Sequence, residues 1–159
     1  MLNGYAEGSS IASYGPTVLR VVVALVFIAH GAQKLFGIWG GGGLSGTASG
    51  FSQMDIEPAY WLAVLAGIAE FGGGLLLLLG AYTLAAASVL GIQMVAAIWL
   101  VHLPNGFFLP GGYEFNLTLI GALVCLMLTG AGALSVDGRR ASHAAAARAG
   151  RARIRAGNV

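Results

Sequence analysis

The chain has 159 residues, 57% of them hydrophobic and 9% charged, with a mean hydropathy of +0.81 and a formal net charge of +2. That balance excludes an ordinary soluble domain and indicates an integral membrane protein. The basic excess lacks a folded surface with interleaved aromatics, which excludes a nucleic-acid role.

Segments of about 20 apolar residues match a hydrocarbon core of about 30 Å. Four such windows occur: Val18 to Leu35, Tyr60 to Leu79, Tyr82 to Val101 and Phe115 to Leu134. Backbone polar groups in lipid need internal partners, so unbroken runs of this kind are helices, and short connections join neighbours in opposite directions. The expected fold is all-α: an antiparallel four-helix transmembrane bundle with outer loops capping one end. It occupies residues 18–137, between an N-terminal segment, 1–17, and a basic tail, 138–159.

Residues 1–17 carry no Lys or Arg. The missing basic n-region argues against a cleaved signal peptide, so the first span is expected to remain as a transmembrane helix. Near its far end lie His30, Gln33 and Lys34, with Lys34 one turn beyond His30 on the same face. Arg20, at the near end, is expected to snorkel or to pair with Asp137.

The following loop opens with Trp39 and Gly40 to Gly43, a flexible connector; a phosphate loop would need a preceding strand and a Gly-Lys-Ser/Thr ending. Thr47 is read as the N-cap of a short interfacial helix carrying Ala48, Phe51 and Met54. Phe36, Trp39, Phe51, Tyr60 and Trp61 gather at one boundary, as an aromatic belt does.

The second span carries Glu70 in an apolar run, followed by Gly72, Gly73 and Gly74. A charge near the bilayer centre costs about 2.5–3.5 kcal/mol on insertion scales, so Glu70 is expected to face inward, within a water's reach of Lys34 or His30. The three glycines let a neighbouring backbone or a flat ligand come close. Ala63, Gly67 and Gly74, with Ala87 and Gly91 on the third span, have small-residue spacing for close helix packing.

Gly80 and Ala81 make a tight hairpin to the third span, which contributes Gln93. The loop from His102 to Glu114 is rich in Pro and Gly, hence turns, and completes the outer cap. The fourth span begins near Glu114 and Asn116 and holds the one cysteine, Cys125, read as a buried small hydrophobe. A single cysteine excludes an intramolecular dithiol mechanism and a cysteine-rich metal site.

Six of the eight Lys and Arg residues follow the last span: Arg139, Arg140, Arg148, Arg151, Arg153 and Arg155. The positive-inside rule places this tail in the cytoplasm, and four crossings return the N-terminus to the same side. The tail reads as a solvated segment weakly attracted to anionic lipid.

Counting depth along the spans gathers His30, Gln33, Lys34, Glu70, Gln93, His102, Glu114 and Asn116 in the outer half, whereas the inner half reads as ordinary anchored helix ends. This cluster is either hydrogen-bonding glue between helices or a ligand-binding site. It matches no metal, haem or flavin motif.

The residues Leu19 and Arg20, the run His30 to Gly37, Gly46 to Ala48 with Phe51 and Met54, Glu70 to Gly73 with Leu75 to Gly80, Val101 and His102 before Gly106 to Phe108, Tyr113 to Asn116, and Leu134 to Asp137 resemble the DoxX family of bacterial membrane proteins. The resemblance spans about Leu19 to Asp137 in order. It implies a four-helix transmembrane fold in the bacterial plasma membrane, similar to a wider group that includes the small subunit of thiosulfate:quinone oxidoreductase. Mycobacterial relatives are described as membrane partners of superoxide dismutase and a sulfurtransferase, so the resemblance implies redox or sulfur metabolism. Two readings follow. One is a quinone-interacting subunit of an oxidoreductase, with quinone carbonyls near His30, Lys34, Glu70 or His102 and electrons supplied by a partner. The other is a non-catalytic accessory or anchoring subunit of a respiratory or redox assembly, with room for a homo-oligomer.

Overall fold

The computed structural model describes residues 11–156, and these residues are helices and turns with no strand among them. In chain order the helices are α1 (Tyr14–Phe36), α2 (Gly43–Gln53), α3 (Ala59–Leu79), α4 (Thr83–Ala97), α5 (Glu114–Thr129) and α6 (Val136–Ala156). Much of the expected segment 1–17, and the last three residues of the tail, lie outside the described residues.

Three stretches are long and apolar enough to cross a membrane: Tyr14–Phe36, Ala59–Leu79 and Thr83–Asn105. The third is α4 continued by a π-turn, Ile98–His102, and a 3₁₀ turn, Leu103–Asn105. A continuous α-helix to Val101 was expected, so the π-turn, a feature frequent at functional sites, is an addition. The expected fourth span is shorter than 115–134. α5 has 16 residues, about 24 Å of helix, because Gly130 at φ 79° ends it and a turn-rich segment follows.

α1 packs most extensively against α3, and α4 against α5. Small residues decide the first of these contacts. The buried stripe of α3 is Ala59, Ala63, Gly67, Glu70, Gly74 and Leu77, so Glu70 sits in the seam of small residues that faces α1. A Cβ on Gly31 of α1 would collide with the Phe71 backbone, one on Gly67 would lie 2.5 Å from Leu35, and one on Gly74 would lie 2.9 Å from the Ile28 nitrogen. Gly31→Ala is therefore expected to lower the thermal midpoint in detergent, by about 1–3 kcal/mol of stability. Gly72→Ala, where a Cβ meets nothing within 4 Å, should leave the midpoint unmoved. The expected role of Gly72 to Gly74 is thus divided: Gly74 admits α1, Gly73 faces Leu90 of α4, and Gly72 is open.

The apolar core lies toward the end of the molecule where α3 turns into α4. Val23, Ala24 and Phe27 of α1 meet Leu77 of α3, Leu90 and Met94 of α4, and Leu119, Leu123 and Leu126 of α5. Cys125 faces outward from this core and is exposed, contrary to the buried position expected for it, because the neighbouring Leu123 and Leu126 take the inward face of α5.

That end is also tied by polar groups, which helix-end anchoring alone did not anticipate. Arg20 is 1% exposed, so it does not snorkel, and it makes no ion pair with Asp137. Its guanidinium instead donates to backbone carbonyls of two segments: Leu77 and Leu78 (2.6 Å) at the end of α3, and Ala131 (3.0 Å) and Leu134 (3.4 Å) after α5. The last turn of a helix leaves carbonyls without partners. Gly80 and Ala81 close a Schellman motif onto Leu77 and Leu76, and Arg20 satisfies the Leu78 carbonyl that remains.

Asp137 serves the next helix. Its carboxylate accepts from the Tyr82 N–H (3.0 Å) and the Thr83 N–H (2.8 Å) at the start of α4, where unpaired N–H groups and the helix dipole favour an anion. Burial raises the Asp137 pKa, but these N–H groups and Arg140 outweigh it, so the value lies below that of an ordinary aspartate. A depressed value means stability present above the unfolded pKa of about 3.9 and lost as pH falls through the folded one. The gap in thermal midpoint between wild type and Asp137→Asn should therefore be open at pH 7 and close as the pH drops below about 4.

The loop after α1 forms a longer helix than expected. α2 starts at Gly43, not after Thr47, which lies inside it. It packs on α3 and on α1. Glu57 braces the entry to α3 by accepting from the Ala59 N–H (2.8 Å) and the Ser52 hydroxyl (3.0 Å). The tail, expected to be solvated and weakly attracted to anionic lipid, is helical as α6, with its described residues beyond Arg139 exposed.

Candidate functional site

Glu70 is buried at 3% exposure, and both of its carboxylate oxygens are engaged. Lys34 Nζ lies 2.6 Å from Oε2 and forms the one ion pair between side chains among the described residues. Gln93 Nε2 donates to Oε1 at 2.8 Å, and also to the Ala66 carbonyl at 3.3 Å. Three helices, α1, α3 and α4, thus meet on one carboxylate. The glycine contact between Gly31 and Phe71 sets this geometry, since it brings Lys34, one turn along α1, to the level of Gly67 and Glu70.

The cluster forms part of the wall of a cavity of about 770 Å³. α1 contributes Phe27, His30 and Lys34; α3 contributes Ala66, Ala69 and Glu70; α4 and its π-turn contribute Ile92, Gln93, Leu100 and His102; α5 contributes Phe115 and Asn116. The cavity separates the α1–α3 pair from the α4–α5 pair, with Met94 and Leu119 shared between its floor and the core. Phe51 of α2, Ile56, Leu109, Pro110 and Gly112 also line it.

Of the eight polar residues singled out in the sequence, six therefore share this space: His30, Lys34, Glu70, Gln93, His102 and Asn116. Gln33 and Glu114 do not line it. Gln33 Nε2 donates to the Trp39 carbonyl (3.1 Å) and holds the turn after α1, while Glu114 accepts from the Leu109 N–H (2.8 Å) and holds the second loop. A depth count along each helix cannot separate these two from the rest, because it fixes height and not direction. The second loop, read from sequence as part of the outer cap, brings Leu109 and Pro110 into the lining.

The donors and acceptors left over define the site's chemistry. An ammonium has three N–H groups, and Lys34 places one on Glu70, so others remain for a ligand oxygen. Gln93 Oε1 is buried without a hydrogen-bond partner. His102 Nδ1 lies 2.9 Å from the Gly111 carbonyl; a carbonyl only accepts, so Nδ1 carries the proton and Nε2 of the neutral ring is an acceptor. Asn116 Nδ2 contacts the Met94 sulfur at 3.5 Å, a weak partner. The His30 ring stands 6.2 Å from that of Phe115. Among the described residues no group of three His, Cys, Asp or Glu side chains is placed to hold a metal ion.

The DoxX family model matches residues 15–103, from the start of α1 through the π-turn that carries His102. This chain belongs to the DoxX family. An uncharacterized membrane protein of Mycobacterium tuberculosis is 34% identical over 140 residues, covering 80% of this chain and 82% of that protein. The inner membrane protein YqjF of Escherichia coli is 30% identical over 127 residues, covering 77% and 89%. CatD of Bacillus subtilis, whose name proposes an oxidoreductase, is 30% identical over 123 residues, covering 77% and 84%. No solved structure matches the chain. The matched region of the DoxX model contains Lys34, Glu70 and Gln93 together, so the three-helix cluster belongs to the family portion of the chain, and the chain is a membrane protein as its relatives are.

Proposed function

We propose that this DoxX protein is the quinone-interacting membrane subunit of an oxidoreductase system in redox or sulfur metabolism, holding a flat quinone ring between its two helix pairs. The observation that carries this reading is a mainly apolar cavity of about 770 Å³ with the Lys34–Glu70–Gln93 cluster in its wall. Sites for small organic ligands have this make-up, a few placed polar groups in an apolar, concave wall. The ring's carbonyl accepts from Lys34. The reduced form, made when a quinone takes up two electrons and two protons, donates its O–H to Gln93 Oε1 or His102 Nε2. Electrons come from a partner redox protein. The name of the relative CatD points the same way.

In this reading α1, α3, α4 with its extension, and α5 form an antiparallel four-helix bundle in the inner membrane. The 16 residues of α5, about 24 Å of helix, are shorter than the hydrocarbon core, a mismatch that local thinning of the bilayer accommodates. The arginines of α6, by the positive-inside rule, favour the cytoplasmic side for that helix and, after four crossings, for the N-terminus.

The rival reading is an accessory or anchoring subunit, favoured by the fact that Glu70 is already satisfied by two helices and can serve as glue. Extraction of lipids from protein purified in nanodiscs containing quinone separates the two. Quinone should be recovered with wild type and reduced about tenfold in Glu70→Gln and Gln93→Leu, a loss equivalent to about 1.4 kcal/mol of binding. Variants that lose only thermal stability, while quinone recovery is the same as in empty nanodiscs throughout, would leave glue and anchoring as the function.

A further inference from the structure

The cavity is bounded by loop residues at one end and by outward-facing side chains at the side. Phe51, Ile56, Leu109 and Pro110 cover it at the end where α1 leads into α2. Its wall between α3 and α4, by contrast, includes Leu65 (62% exposed), Ile92 (72%) and Leu100 (52%), side chains that face outward as well as lining the space. α3 and α4 pack less extensively on each other than either α1 on α3 or α4 on α5, and small residues, Ala69 and Ala96, stand in this wall. In a membrane these exposed residues face acyl chains, since nothing else in the described chain covers them.

From this geometry we infer that the ligand enters sideways from the bilayer between α3 and α4 and is a quinone with a long isoprenoid tail, whose ring reaches Lys34 and Gln93 while the tail leaves over Leu65, Ile92 and Leu100. The quinone identity rests on the function proposed above; the lateral route rests on the opening alone. A water-soluble, tail-less ligand would need an entrance through the capped end, where the loops stand. A tail held on these side chains gains packing contacts and no hydrophobic transfer, since lipid is as apolar as they are, and it tethers the ring at the height of the cluster.

The test uses the full chain in nanodiscs with three probes: a long-tailed ubiquinone, a tail-less dimethoxy-benzoquinone, and a fatty acid carrying a photoreactive diazirine at the end of its chain. Ala69→Trp and Ala96→Trp fill the opening from its two sides. The long-tailed quinone should bind at least tenfold more tightly than the tail-less one at equal membrane concentration, and either tryptophan should remove that advantage by lowering the long-tailed affinity more than the tail-less one. The photoreactive chain should label peptides containing Leu65 or Ile92, and labelling should fall in both variants. Equal affinity for the two quinones, unaltered by the tryptophans, would overturn the inference even though quinone binds. Labelling at the opening with no binding of either quinone would leave the route standing and overturn the quinone assignment. Absence of labelling at Leu65 and Ile92 would overturn the route. A Phe51→Ala variant, which thins the cap and not the opening, should leave the tail advantage intact, and its loss there would also count against the lateral route.

Discussion

Arg20→Met is expected to destabilise the protein by about 3 kcal/mol or more, because it strands backbone carbonyls that the guanidinium now satisfies inside the packed end of the molecule. Among the described residues, no other group donates to the carbonyls of Leu78 and Ala131. Arg20→Lys should recover only part of the loss, since an ammonium cannot spread its donors across two separate segments as a planar guanidinium does. Unfolding in mixed detergent, followed by circular dichroism, measures both. Equal stability of wild type and Arg20→Met would show that water or lipid headgroups replace the guanidinium without cost. The same substitution should also loosen the segment from Gly130 to Ser135, detectable as faster amide exchange there, because Arg20 is one of its anchors to α1 along with the Thr17 hydroxyl on the Ala133 carbonyl (2.7 Å).

The second large effect concerns the cavity. Lys34→Met leaves Glu70 buried with its charge uncompensated, and breaking such a pair by removing one partner costs about 3–5 kcal/mol. The lower end applies here, since the Lys34 side chain is 26% exposed. Adding Glu70→Gln to Lys34→Met should restore most of the stability, because the neutral amide no longer needs a cation and Gln93 can still bond to it. The signature is therefore non-additivity: the double variant more stable than Lys34→Met alone. A double variant less stable than both single ones would mean that Glu70 does not depend on Lys34.

Much of this arrangement is legible from residue type and spacing. Glu70 announces itself because a carboxylate in an apolar run must find a partner, and Lys34 is the cation nearest in depth on the preceding span. The seam Ala63, Gly67, Gly74 is visible as small residues at helical spacing, and it forecasts which face of α3 meets α1. Gly31, which carries the closest approach, has no such pattern of its own and reads as part of a motif. Arg20 is misjudged from sequence for a different reason: a cation near a helix end normally reaches water, and only the fold brings two carbonyl-bearing segments around it. Asp137 is misassigned with it, since its true partners are N–H groups of α4 that no side-chain pairing rule would name.

The π-turn at Ile98–His102 and the early end of α5 are likewise set by tertiary structure. His102 needs its Nδ1 at the Gly111 carbonyl, and the turn in the helix is what carries it to the cavity wall. Gly130 was readable as a helix stop, but the apolar residues beyond it, Ala131 to Leu134, extend the hydropathy signal past the point where the backbone turns.

Quinone binding at this site requires that a quinone carbonyl meet the Lys34 side of the Glu70 cluster. Infrared difference spectra of a quinone labelled with carbon-13 at its carbonyls, taken in nanodiscs with wild type and with the Lys34→Met/Glu70→Gln pair, address this directly. One carbonyl stretch should move to lower frequency with wild type, as a charge-assisted hydrogen bond weakens the C=O bond, and return to the free-lipid position in the double variant. A carbonyl band at the free-lipid frequency in both would contradict the site.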